Sequence, residues 1–204
     1  MDTEEKERRA EIVIESYAGI IPYCEAFYLH SIIYSTERCL ESFQQYDYMK
    51  SQDVNPDYLI SIVQEAVGHA AALSRYFWVS PQGKKSEPHQ KNLRKLRGQK
   101  LCEAFGLEDT SPLHNRDLRN AWEHFDERLD LYLLENDAGT FCPNCIIDSH
   151  KLANEPTSHI FKLLDTQAEC LILMGTKYFF SPIRNEVEEI YQKAQELDKK
   201  GARI

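Results

Sequence analysis

The stretch LRNAWEHFDERLDLYL, residues 118–133, places Arg119, Asn120 and His124 within six positions. A guanidinium offers two aimed donors to an anion, and an imidazole exchanges a proton near neutral pH. Together they raise the question of a phosphate-handling site. The same residues also suit a solvated helix face. Arg119 and Glu123 are spaced i,i+4 for an ion pair, the charges alternate, and His124 would be a boundary histidine bonded to its neighbours. Composition alone leaves both readings open.

On a helical wheel, Leu118, Trp122, Phe125, Leu129 and Tyr132 fall in one arc and form the expected core stripe. Asn120, His124 and Arg128 follow along one flank of it. Arg119 lies on the other flank, about 140° from His124. On one ideal helix the two side chains diverge. They converge only if Arg119 sits at an irregular helix start or if two subunits pair across a cleft.

RNAWEH resembles the Arg-polar-x-x-x-His signature of HEPN domains, helical proteins that include many metal-independent RNases. A long early helix, a second helix in EAVGHAAALSRYFW and the motif on a later helix match the HEPN order, over roughly residues 10–136. The resemblance implies an endoribonuclease that needs no metal or cofactor. The ribose 2′-hydroxyl would attack the adjacent phosphate. His124 would be the acid/base, Arg119 would clamp the phosphate oxygens, and Asn120 would orient the imidazole or the substrate. It also implies a homodimer whose motifs meet at a shared site, with the Asn120/His124/Arg128 flank near the twofold axis. In HEPN proteins that pair with nucleotidyltransferases a tyrosine lies two residues after the histidine. Asp126 stands there, so that subfamily's chemistry is not carried over.

Three hypotheses follow. The first is a cytoplasmic HEPN-like nuclease of the kind used in toxin–antitoxin or defence systems, with an antitoxin as a possible protein partner. The second is a non-catalytic HEPN-like module that binds RNA, a nucleotide or a protein. The third is a helical interaction protein with a chance motif.

Other residues could serve the first two. Residues 81–100 hold Lys84, Lys85, Lys91, Arg94, Lys95, Arg97 and Lys100 against Glu87 alone, a local reversal in a chain of net charge -9. Such a stretch could hold an RNA backbone beside His124. It could equally be a solvated face, and it lacks the interleaved aromatics that stack bases. His69, on the flank of an apolar arc, could reach the His124 cleft or be a satisfied core-edge residue. Tyr76 and Trp78 could line a groove. Cys142 and Cys145 in CPNC, with His150 nearby, supply one cysteine pair where structural zinc usually takes two. The pair reads as thiols at a hairpin turn, with no metal assigned.

The elements that must position these residues are mostly helical. At 204 residues and 42% hydrophobic content the chain can bury a core. The six scattered cysteines and the charged opening MDTEEKERRAE suggest a reducing cytoplasm, and no apolar run is long enough to span a bilayer. Helices are expected over 3–20, 23–48, 56–78, 89–105, 115–136 and 180–199. Pro22 interrupts the first pair, Asn55 caps and Pro56 starts the third, and Gly106 terminates the fourth. TFCPNCIIDSH reads as β-prone pieces around a Pro-Asn turn, and HIFKLLDTQAECLILMG as two strands. The expected fold is therefore mainly α: a HEPN-like antiparallel bundle over 1–136, with a small antiparallel sheet and terminal helix over 137–204 packed as part of the same domain.

Overall fold

The computed structural model describes residues 1–79, 87–136, 138–146, 149–155, 158–201 and 204, with only the backbone described at Asn144 and Ser158. Its elements are α1 (Thr3–Tyr17), a 3-10 turn (Pro22–Cys24), α2 (Glu25–Met49), α3 (Pro56–Phe77), α4 (Pro88–Phe105), α5 (Asp117–Glu123), α6 (Phe125–Glu135), β1 (Thr140–Ile146), a second 3-10 turn (His150–Asn154), β2 (Ser158–Asp165), β3 (Cys170–Leu173), β4 (Thr176–Phe179) and α7 (Ser181–Lys199). The chain is mainly helical, with a small sheet toward its C-terminal side. No helix among the described residues is long and apolar enough to cross a membrane. The loop carrying Lys84 and Lys85 lies outside the described residues.

Two compact units result. The first comprises Met1–Glu37, Ala70–His114 and Val187–Ile204; the second comprises Arg38–His69 and Asn115–Glu186.

The first unit rests on close backbone approach. Its core includes Leu29, Ile32, Leu73, Phe77, Leu101, Val187 and Ile190. Gly98, inside α4, faces α3 so closely that an added Cβ would fall well inside contact distance of the Phe77 carbonyl oxygen. The N-terminus of α4 has no side-chain cap of its own. Glu7 of α1 supplies one, accepting from the His89 and Gln90 amides at 2.7 and 3.1 Å. These are orphan donors that a carboxylate satisfies well. Gly106 ends α4 in the left-handed region, at φ 72°. On α1, Ile12 and Tyr17 are exposed.

The second unit is built around aromatic rings and the sheet. Phe180 is fully buried, stacked on Phe43 and edge-on to Tyr46. Asn55 caps α3 through the Asp57 amide at 2.8 Å. Along α3 the stripe Leu59, Val63, Ala66, Ala70, Leu73 and Phe77 is buried as its period requires.

The sheet differs from the antiparallel one expected. Its order is β1-β2-β3-β4 and it is mixed: β1 pairs with β2 in parallel, and the other two pairs are antiparallel. β1 runs through Pro143 and Asn144 instead of turning there. The segment with the second 3-10 turn provides the crossover that a parallel pair needs. β4 falls between the last expected strand and the last helix, in a stretch for which the sequence predicts no element.

Candidate functional site

The single helix expected over 115–136 is two helices that meet at His124. The junction residue has φ -117° and ψ 35°, outside the helical region. Helical i→i−4 bonds still flank it: the His124 amide donates to the Asn120 carbonyl and the Arg128 amide to the His124 carbonyl, both at 3.1 Å. The irregularity that would let motif side chains leave ideal wheel positions is therefore at the histidine, not at Arg119. Trp122 and Phe125 bracket the junction with rings stacked at 6.0 Å, and the Lys162 ammonium lies 5.3 Å from the Phe125 centroid and 5.8 Å from that of Trp122.

Arg119 and His124 each take a carboxylate of the same segment as partner. Arg119 donates from Nε and Nη2 to the two carboxylate oxygens of Glu123, at 3.0 and 2.8 Å. This is the i,i+4 pair of the solvated-face reading. Glu123 also raises the Arg119 pKa further, first through its hydrogen bonds and then, against some burial, through its charge. His124 is 55% exposed, with Nδ1 3.4 Å from Glu127 Oε2. Arg128 donates to the Tyr178 hydroxyl at 3.1 Å, and Asn120 is half-buried. Leu131 and Leu134 continue the Asn120/His124/Arg128 flank along α6 and are 61% and 81% exposed. Among the described residues no α6 side chain is fully buried; Phe125, Arg128, Leu129 and Tyr132 are half-buried.

The remaining candidates divide between the two units. His69, in the second, is 3.8 Å from Glu65. Tyr76, in the first, lines an open groove of about 330 Å³ with Phe27, His30, Ser31 and Tyr34. Trp78 is buried, bonded to Asp109 and stacked on His114, so it lines no groove. On α4, Lys91 and Lys95 are exposed, while Arg94 and Arg97 are half-buried. Arg97 sits 5.6 Å from the Tyr28 ring centroid and donates to the Arg75 carbonyl at 3.2 Å. It thus touches the chain neighbours of Phe27 and Tyr76. The aromatics missing from the basic stretch are supplied from α2 and α3. Phe27, His30, Ser31 and Tyr34 repeat every three or four residues opposite the Leu29/Ile32 stripe, and that spacing was the available signal.

Two further features were not foreseen. His150 donates its backbone amide to Asp165, and its ring Nδ1 lies 2.8 Å from the same carboxylate oxygen. Asp165 also accepts the Gln167 and Ala168 amides. Burial opposes its charge, but the bonds from Ala168, His150 and Gln167 outweigh that and hold its pKa below the usual carboxylate range. Second, Cys142 and Cys145 lie on β1 and not at a hairpin turn, with sulfurs 3.2 Å apart. Among the described residues no group of three or more histidine, cysteine or acidic side chains is arranged to hold a metal ion.

Comparison with family models, with curated proteins and with solved structures finds no match for this chain.

Proposed function

We propose that the chain is a HEPN-like, metal-independent endoribonuclease working as a cytoplasmic homodimer, of the toxin–antitoxin or defence kind. The observation that supports this reading is the exposed His124 imidazole at the α5–α6 junction, one turn after Asn120. A phosphodiester would draw Arg119 from Glu123, the two side chains being 20% and 46% exposed. Such a partly exposed pair is worth on the order of 1 kcal/mol, and a bidentate guanidinium–phosphate contact offsets that loss. The imidazole then takes the 2′-hydroxyl proton or protonates the leaving 5′-oxygen, and Arg119 compensates the charge growing on the phosphate. The uncovered Leu131 and Leu134 along the same flank favour the dimer, because a second copy would cover them.

The test is incubation of the purified chain with mixed RNA in EDTA, beside Arg119→Ala and His124→Ala. Loss of the acid/base should slow cleavage about 100-fold or more. An inert wild type, or His124→Ala as fast as wild type, removes the nuclease reading.

A second reading, a non-catalytic module that binds RNA, is favoured by the first unit. There the aromatic groove and the basic α4 bring stacking surfaces and phosphate-binding charge into one compact body.

A further inference from the structure

The CPNC pair remains outside the reaction proposed above. In a fully extended chain, residues three apart have Cα atoms about 10 Å apart and side chains on opposite faces. Cys142 and Cys145 nevertheless bring their sulfurs to 3.2 Å, and both pack against the cluster Ile160, Leu163, Cys170 and Ile172. The backbone therefore departs from full extension between them, while the pairing with β2 keeps one register on both sides of Pro143, from Cys142 opposite Ile160 to Asn144 opposite Lys162. β1 is an edge strand, paired with β2 alone. Both cysteines are free and half-exposed.

We infer that Cys142 and Cys145 form a dithiol site that reacts with low-molecular-weight disulfides, closing to an intramolecular disulfide. The contact is already short, and closure to the roughly 2.05 Å of a disulfide asks the two sulfurs to approach by about a further 1 Å. The Cys142 thiolate attacks one sulfur of the external disulfide. An S–S bond breaks, a mixed disulfide forms on Cys142, and one external thiolate leaves. Cys145 then gives its proton to solvent and attacks the Cys142 sulfur, releasing the second external thiolate. Two protein thiols are oxidised and one external disulfide is reduced to two thiols. The order of attack follows from the surroundings of Cys145: its thiol donates to the Lys162 carbonyl oxygen at 3.9 Å, its sulfur lies 3.2 Å from Cys142 Sγ, and burial first, then Cys142, push the thiol up. Nothing in this inference depends on RNA cleavage.

The experiment treats the full folded chain with glutathione disulfide, then alkylates and maps the peptides by mass. In wild type the alkylatable thiols should fall by about two, both on the 142–145 peptide, and dithiothreitol should restore them. Cys145→Ser should stop at a glutathione adduct on Cys142, with circular dichroism reporting that the variant is folded. Full alkylation of both thiols in oxidant-treated wild type overturns the proposal, and that readout needs no variant. A Cys142→Ser chain that traps glutathione on Cys145 as readily as Cys145→Ser does on Cys142 overturns the order of attack.

Discussion

The two units solve different problems with different means. The first brings backbones together. Gly98 lets α4 touch α3, Glu7 caps α4 from another helix, and the exposed surface offers rings and cations. The second interlocks side chains around Phe180 and a four-stranded sheet, and it holds Arg119 and His124, the His150–Asp165 pair and the Cys142/Cys145 thiols. Of these groups only Asp165 is fully buried; His124 is 55% exposed and the two cysteines are half-exposed on the edge strand β1.

Two glycines, one in each unit, test this contrast most sharply. In a helix interior, Gly→Ala ordinarily gains up to about 1 kcal/mol. Gly68, in the second unit, has open space where a Cβ would go. Gly68→Ala should raise the melting temperature. At Gly98 the Phe77 carbonyl blocks the Cβ, and backbone cannot rotate away as a side chain can. Overpacking of this kind costs about 1–3 kcal/mol, so Gly98→Ala should lower the melting temperature despite its better helix propensity. If both substitutions stabilise, close approach is not what organises the first unit.

The next test separates gripping from chemistry. Binding is measured by fluorescence anisotropy on a single-stranded RNA with 2′-O-methyl sugars, which lacks the attacking hydroxyl. Phe27→Ala with Tyr34→Ala should weaken it roughly tenfold, the scale of lost base stacking, while His124→Ala binds as wild type. The reverse pattern would place RNA recognition with the motif and leave the groove without a role in it.

What the sequence revealed follows the range of each interaction. α3 was readable because its signals are local: the Asn55 cap, Pro56 and six apolar residues at helical spacing. The Gly106 stop was readable for the same reason. Parallel pairing of β1 with β2 depends on the path of a crossover, which no local pattern specifies. β4, four residues long, offers too short a period to separate from a turn. The break at His124 carries no glycine or proline, and the apolar spacing continues across it. At the site, the Arg119–Glu123 pair follows from i,i+4 spacing. The groove needed α2 and α3 side by side before Phe27 and Tyr34 could be seen with Tyr76.

The smallest expected effect concerns acid. Each unit uses a carboxylate to satisfy backbone amides: Glu7 at the start of α4, and Asp165 at the second 3-10 turn and the β2–β3 turn. Burial opposes both charges. At Glu7 the Gln90 side chain and the His89 and Gln90 amides outweigh it, and at Asp165 the bonds from Ala168, His150 and Gln167 do, so both folded-state pKa values are lowered. A lowered carboxylate pKa means that the unfolded chain binds the proton first as pH falls. The stabilisation is whole above the unfolded pKa, near 4, and drains away as pH drops through the folded value. Asp165→Asn should therefore flatten the acid limb of a stability–pH curve measured by urea unfolding between about pH 2 and 5, by roughly 1 kcal/mol. Glu7→Gln should flatten it less, since Glu7 is the more exposed of the two. Equal flattening would mean that burying the acceptor adds nothing to what its hydrogen bonds contribute.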